Sequence, residues 1–393
     1  MRIVDVDTFV LSIDAGESYQ GTAPAGTTAA DGYYVKPPWR SLYSPRFESL
    51  LVRVTAEDGT FGWGEALAPV APDVPAAVVA RLLAPVLRGL DAAAPRPAWH
   101  TLRNLMRERG HLVGHQADAL AAVDIALWDL AGHVTGRSVS DLLGGAFRRT
   151  VPTYLSGLPA ETDEARAELA RNAVAQGVRT VKLHLGNGVE ADLATVDAVR
   201  AAAPELRLAV DAHWVYTLHE ALALADELAT RKVWFLEAPL EPEDLAGHAA
   251  LAARSPLPVA VGEALRNRYE FAQWLDARAL AIAQPDTGRT GITEAMVIAE
   301  LAAARHVPLA PHHSTGLGVV LAAGLHVAAA AENLAVFEYQ ARSTEVGTTI
   351  LAEPIARTGD TFTLPTGPGL GIEVDLAAVE RLASDARGAG ERL

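Results

Sequence analysis

Cysteine is absent from this chain, which excludes disulfides, thiolate nucleophiles and sulfur-ligated metal sites. Basic tracts are absent as well: 33 lysines and arginines stand against 48 aspartates and glutamates, a formal net charge of -15. That balance argues against nucleic-acid binding. It leaves an anionic substrate open, because a bound divalent ion and a few local cations can reverse the sign within a site. No uninterrupted apolar run reaches the roughly 18 residues of a membrane span, and the alanine-rich stretch 319–331 is too short for one. The opening MRIVDVDTFVLSI alternates like a strand and lacks the apolar centre of a signal peptide. These absences lead us to expect a cytoplasmic protein with no membrane or nucleic-acid partner.

The 393 residues exceed the length at which one hydrophobic core usually stops growing, so two domains are expected. Residues 1–13 and 48–56 read as antiparallel strands, and EDGT at 57–60 turns the chain into FGWGEAL. Residues 75–145 carry helical periodicity, clearest in HQADALAAVDIALWDLAGHVTG, whose small alanines permit close packing and whose apolar face is interrupted by Asp124 and Asp129. Strands followed by helices make residues 1–145 an α+β capping domain. Within it, Asp14 to Phe47 lacks periodicity but carries Tyr33, Tyr34, Lys36, Trp39, Arg40, Tyr43 and Arg46. That composition predicts a lid over a site, with Lys36, Arg40 and Arg46 available to a second carboxylate or to hydroxyls; packing on a neighbour is the alternative. From 146 to 345 strand and helix alternate, with strands predicted at 151–157, 180–186, 207–213, 233–240, 258–265, 279–286, 308–315 and 335–340. The rhythm predicts an α/β fold, a (β/α)7-8 TIM-type barrel behind the N-terminal α+β cap. Residues 346–393 lack a long helical run until about 376–384 and are expected to return to the cap.

Inside the barrel segment, three apolar runs end in carboxylates: RLAVD at Asp211, VWFLE at Glu237 and PVAVGE at Glu263, each 26 residues from the next. That period matches one βαβ repeat, so all three emerge at the C-terminal edge of a parallel sheet, where ligands bind. Converging carboxylates raise one another's pKa unless a cation compensates, and oxygen-only ligation suits a hard divalent ion, Mg2+ above Zn2+. Any one of them alone could instead cap the helix that follows. The remaining strand ends are polar too: Lys182 and His184 after the second strand, His213 beside Asp211, Gln284 and Asp286 after the sixth, His312 and His313 after the seventh, and Glu338 on the eighth.

This constellation, with LEAPL, GEAL, QPDTGRTG and PHHSTGLG in order, resembles the enolase superfamily and within it the mandelate racemase subgroup. The resemblance implies a capped barrel that binds one Mg2+ through Asp211, Glu237 and Glu263 and removes the proton α to a carboxylate. It implies an Asp286–His312 dyad, in which the carboxylate sets the imidazole's tautomer and basicity, and a Glu338 that hydrogen-bonds the substrate carboxylate. It also implies a homo-oligomer, dimer or octamer. Two positions depart from the common pattern. His184 stands where the second lysine of Lys-x-Lys is usual, as a base facing His312 or as a hydrogen-bonding group, with Lys182 left to touch the substrate carboxylate or shift its neighbour. His213 resembles the acid of sugar-acid dehydratases such as galactonate and mannonate dehydratases, although Trp214 and Val215 do not reproduce its usual neighbours.

The expected activity is therefore Mg2+-dependent dehydration of a sugar acid, aldonate or aldarate, to a 2-keto-3-deoxy acid. A cycloisomerase of a sugar-acid lactone or anhydro-sugar acid needs the same enolate. An epimerase or racemase of a 2-hydroxy acid would use His184 and His312 on opposite faces. A degraded, non-catalytic binder would lack a ligand or a dyad member, and none is missing.

Overall fold

The computed structural model describes residues 1–16, 32–105, 107–109 and 112–390, with backbone alone over 385–390. Strands β1 (Ile3–Ile13), β4 (Phe47–Ala56) and β5 (Phe61–Ala66) form an antiparallel sheet in the order β1-β4-β5. A short hairpin, β2 (Tyr34–Val35) with β3 (Leu42–Tyr43), precedes β4. The 114–135 helix lies across this sheet. Its contact is close because β5 is glycine at two positions. A Cβ at Gly62 would stand 2.2 Å from Leu130 N, and one at Gly64 would stand 1.8 Å from Ala122 O. The alanines of the helix supply the matching surface.

The barrel is built from parallel strands β6 (Thr150–Ser156), β7 (Thr180–His184), β8 (Arg207–Asp211), β9 (Leu236–Glu237), β10 (Val259–Val261) and β11 (Ile282–Ala283), hydrogen-bonded in that order. Strand β12 (Phe337–Tyr339) pairs in parallel with β6 and brings the sheet round on itself. The predicted seventh strand at 308–315 is reduced to single bridges, Ala283 to Leu309, Leu309 to Leu334 and Asp286 to His312. Pro308 and Pro311 explain the difference, since neither can donate to a ladder. These bridges complete the ring. Side chains alternate across it: Tyr154, Ala209, Phe235, Ala260, Ile282, Ala310 and Val336 fill the interior. Leu183, Val210, Leu236 and Val261 face the surrounding helices instead.

The tail departs partly from expectation. Strands β13 (Arg357–Thr358) and β14 (Thr361–Thr363) form a hairpin that adds antiparallel to β6, joining the barrel and not the cap. The Leu376–Gly390 helix does reach the cap, where Val379 and Ala383 share a buried cluster with Leu11 and Ile13 of β1.

Asp124 and Asp129, the acids that interrupt the apolar face of the 114–135 helix, join the domains. Asp124 accepts from the amide and hydroxyl of Thr293, each at 2.7 Å, and Asp129 accepts from the amides of Trp63 and Leu370, each at 2.7 Å. Thr293 lies just past Gly291, whose φ of 73° breaks the Thr287–Ala303 helix and whose missing side chain leaves room for the Asp124 carboxylate. Glu65 of β5 belongs to the same seam. Its carboxylate accepts from the amides of Leu317 (2.7 Å) and Val320 (2.9 Å) at the start of the Val319–Ala330 helix, and from the Ser49 hydroxyl (2.8 Å). An anion there matches the positive end of the helix dipole.

Candidate active site

A cavity of about 120 Å3 opens at the C-terminal ends of the barrel strands. Lys182, His184, Asp211, His213, Glu263, His312 and Glu338 all line it, and residues 41–46 of the cap form part of its wall. Asp286 and Glu237 stand one contact behind. Of the residues that the strand ends offered, the structure brings all together but His313, whose ring packs against Phe337 instead.

The three period carboxylates do not cap helices. The helices after β8, β9 and β10 are capped by Thr217, Asp244 and Asn267. Asp211, Glu237 and Glu263 are directed into the barrel mouth, where they are 5 %, 1 % and 9 % exposed. Lys182 sits among them, its ammonium 2.6 Å from Glu237 Oε1, 2.9 Å from Glu338 Oε1 and 3.9 Å from Asp211 Oδ2, over the ring of Tyr154. Gln284 donates to the other oxygen of Glu237 at 2.6 Å. Burial opposes the lysine's charge, but the fields of Glu237 and Glu338 override it and hold Lys182 protonated, well above the usual range.

On the opposite side, His312 Nδ1 donates to Asp286 Oδ2 at 2.6 Å, and Asp286 Oδ1 is itself fixed by the amide of Gly288 at 2.7 Å. His312 Nε2 lies 2.9 Å from Glu263 Oε2 and 3.8 Å from Glu338 Oε2. Burial works against a charged imidazole, yet Glu338, Glu263 and the bond to Asp286 together raise its pKa well above the ordinary histidine value. Glu338 also accepts from Ser156 Oγ (2.5 Å) and the amide of His313 (3.1 Å). Burial raises its pKa, but Lys182 and His312 prevail and bring it down to about 2. The resemblance anticipated a Glu338 that hydrogen-bonds a substrate carboxylate; here it is a hydrogen-bond acceptor throughout.

The donor set fits a hard divalent cation on two grounds. Glu263 Oε1 is buried with no hydrogen-bond partner, a costly state for a carboxylate oxygen unless a cation meets it. Five carboxylates (Asp211, Glu237, Glu263, Asp286 and Glu338) crowd the mouth, and the cations paired with them are the Lys182 ammonium and the His312 imidazolium. Glu237 registers that excess: burial pushes its pKa up, Lys182 pulls it down, and Asp211, Glu338 and Glu263 help carry it to about 8. Among the described residues no three acidic or imidazole groups are drawn together as a closed metal cage, because Lys182 and His312 hold Glu237 and Glu263 to themselves.

His184 and His213 have different surroundings. His184 Nε2 is 3.1 Å from Ser156 Oγ, and burial lowers its pKa to about 4. Ser156 gives its proton to Glu338 and receives from Gln340 Nε2 at 3.1 Å, so it takes a proton from His184 as well. His184 is therefore a neutral donor in this arrangement. His213 adopts a left-handed backbone, φ 48°, rare outside glycine. Its Nε2 is 2.9 Å from the hydroxyl of Tyr43, and the Trp39 ring packs at 4.9 Å. Trp39 in turn donates to the carbonyl of Leu185 at 2.8 Å, which seats the β2–β3 hairpin on the barrel.

Of the expected lid, residues 17–31 lie outside the described residues. The rest contributes through Tyr43 and Trp39. Of its cations, Lys36 lies over Trp39, Arg40 pairs with Glu241 at 2.7 Å outside the cavity, and Arg46 lines it. Ser156, Gln340 and Arg289 escaped the sequence reading, as did Glu65. Ser156 alone left a signal, a hydroxyl at the end of an apolar strand. Arg289 sits inside the quoted QPDTGRTG run.

Comparison with known proteins agrees with this fold. Residues 43–144 match the family model for the mandelate racemase / muconate lactonizing enzyme N-terminal domain, and residues 165–378 match that for the enolase C-terminal domain-like family. The chain is 37 % identical to a D-galactarolactone cycloisomerase of Agrobacterium fabrum, across 86 % of this chain and 92 % of that one. It is 33 % identical to a D-galactonate dehydratase of Verminephrobacter eiseniae, across 90 % and 93 %. Among solved structures, an enolase-superfamily member from Agrobacterium tumefaciens superposes with a TM-score of 0.91 at 36 % identity, covering 97 % of this chain and 99 % of that one. A racemase from Streptomyces coelicolor, solved with bound magnesium, superposes at 0.82 and 26 % identity, covering 97 % and 99 %.

Proposed function

The chain belongs to the mandelate racemase subgroup of the enolase superfamily, and from that premise we propose that it catalyses β-elimination from a sugar acid, with dehydration to a 2-keto-3-deoxy acid as the net reaction. The observation that carries this reading is the Asp286–His312 pair, bonded at 2.6 Å, with His312 on the cavity wall that Lys182 also lines and Asp286 behind it.

A proton α to a carboxylate is very weakly acidic, so charge must be stabilised where it develops. Asp211, Glu237 and Glu263 would hold Mg2+, which when bound supplies electrophilic charge to the substrate carboxylate. Lys182 adds a fixed positive charge beside it. Glu263 and Glu338 hold His312 charged while they face it; with Glu263 engaged by a cation, His312 would work in its neutral form, oriented by Asp286, and remove the α proton through Nε2. The electron pair enters the carboxylate as an enediolate and returns to form the C=C bond as the β carbon–oxygen bond breaks. His213, which lines the same cavity, protonates the departing hydroxyl in this reading, and the enol then tautomerises to the ketone. His184, neutral and donating to Ser156, stabilises and does not abstract. That arrangement disfavours a two-base racemase.

A second reading is cycloisomerisation of a sugar-acid lactone. It differs only in the leaving oxygen, which belongs to the ring and departs as a carboxylate needing no acid. The 37 % identity to a D-galactarolactone cycloisomerase favours it.

The deciding experiment incubates the enzyme and Mg2+ in D2O with sugar acids, diacids and their lactones. Exchange at the α carbon with formation of a keto acid is expected, and His213→Asn should reduce keto acid from the open-chain acid far more than from the lactone. No exchange across the panel, with metal bound, would overturn the proposal.

A further inference from the structure

Arg289 projects from the first turn after Asp286 and lines the cavity with Lys182. Its Nε is buried without a hydrogen-bond partner, and among the described residues its side chain makes no hydrogen bond or salt bridge. The nearby acid, Asp118, is already taken by Arg266 at 3.0 Å. Thr315, 3 % exposed and on the same cavity wall, has a buried hydroxyl that is likewise unpartnered. Buried donors without acceptors are costly, and a guanidinium finds its best partner in a carboxylate, which it meets with two parallel bonds.

Position adds a constraint. Lys182 stands on the second strand of the ring and Arg289 follows the sixth of eight places, so the two cations face each other across the mouth. One carboxylate cannot satisfy both. We propose that Arg289 and Thr315 form a second carboxylate subsite, and that the substrate is an α,ω-dicarboxylate: an aldarate or its lactone, not an aldonate. Arg46, at the rim, adds charge of the same sign. The choice of aldarate rests on the sugar-acid reading above; the subsite itself does not.

The test therefore has a binding arm and a turnover arm. In the presence of Mg2+, calorimetry with succinate, glutarate and adipate is compared with the monocarboxylates of equal length. The wild-type enzyme should bind at least one diacid about tenfold or more tighter than its monoacid; Arg289→Gln should remove that preference, Arg289→Lys should keep part of it, and Thr315→Val should narrow it. Equal affinities in the wild type, or a preference that survives Arg289→Gln, overturn the subsite. In turnover, aldarates should exceed aldonates of the same configuration in kcat/KM by a similar factor, lost in Arg289→Gln. If neither acid exchanges its α proton, the reaction reading fails, while the binding arm still decides the subsite. If Arg289→Gln does not fold, the wild-type and Thr315→Val affinities decide it.

Discussion

Two sets of buried carboxylates occupy this protein, and they are satisfied in opposite ways. At the seam between cap and barrel, Glu65, Asp124 and Asp129 each accept two or three hydrogen bonds from fixed amides and hydroxyls. No cation is needed there, because the donors, backbone amides and the hydroxyls of Ser49 and Thr293, are built into the fold. At the mouth, Asp211, Glu237, Glu263 and Glu338 share one lysine and one histidine, and Glu263 Oε1 has no partner. Burial alone thus says little about a carboxylate's task. What separates the two sets is whether the donors are complete without a ligand.

The contrast is sharpened first at the mouth, where the largest effects are expected. His312→Asn should lower α-proton exchange by about 10^3-fold or more, and Asp286→Asn by about 10- to 100-fold, with the melting temperature nearly unchanged. A fall in exchange that merely tracks lost stability would dissolve the distinction. Removal of divalent metal by a chelator should abolish exchange, and added Mg2+ should restore it and raise the melting temperature, since a ligand bound by the folded state stabilises it. The same titration of Asp211→Asn should show a weaker thermal response.

Seam changes should produce smaller effects of the reverse kind. Asp129→Ala leaves the amides of Trp63 and Leu370 unpaired and should cost about 1–3 kcal/mol in denaturant unfolding while the remaining folded enzyme keeps its exchange rate. The mildest effect should be one of pH. Burial raises Asp124 to about 7 from 3.8, with the bonds from Thr293 working the other way. A carboxyl raised in the folded state contributes stability that is fully present below pH 3.8 and is lost as pH rises through about 7. Asp124→Asn should therefore flatten the decline in melting temperature between about pH 4 and 7, and an unchanged slope would remove Asp124 as its source.

The mouth was more legible in the sequence than the seam. A carboxylate at the end of an apolar run announces itself, since the run defines a strand and the period places its end. The seam acids interrupt a helix, and nothing local tells that Asp124 meets Thr293, 169 residues away. The same limit hid Arg289 and Ser156, whose meaning lies in partners contributed by other strands. Strand lengths were overread at two runs that contain proline: 308–315 keeps only bridges, and β9 spans two residues before Pro239. The roles of His184 and His213 rested on hydroxyls of Ser156 and Tyr43, and those partnerships exist only once the barrel has closed and the hairpin is seated.

The helix over β1 bears on how the protein is made. Leu11 and Ile13 are made well before Val379 and Ala383, which share their buried cluster, because the whole barrel lies between them in sequence. During synthesis the first strand must wait with an apolar edge uncovered while the whole barrel is translated and assembled beside it. The cap thus precedes the barrel in sequence yet is closed only after it, and the uncovered edge is open to misassembly in that interval.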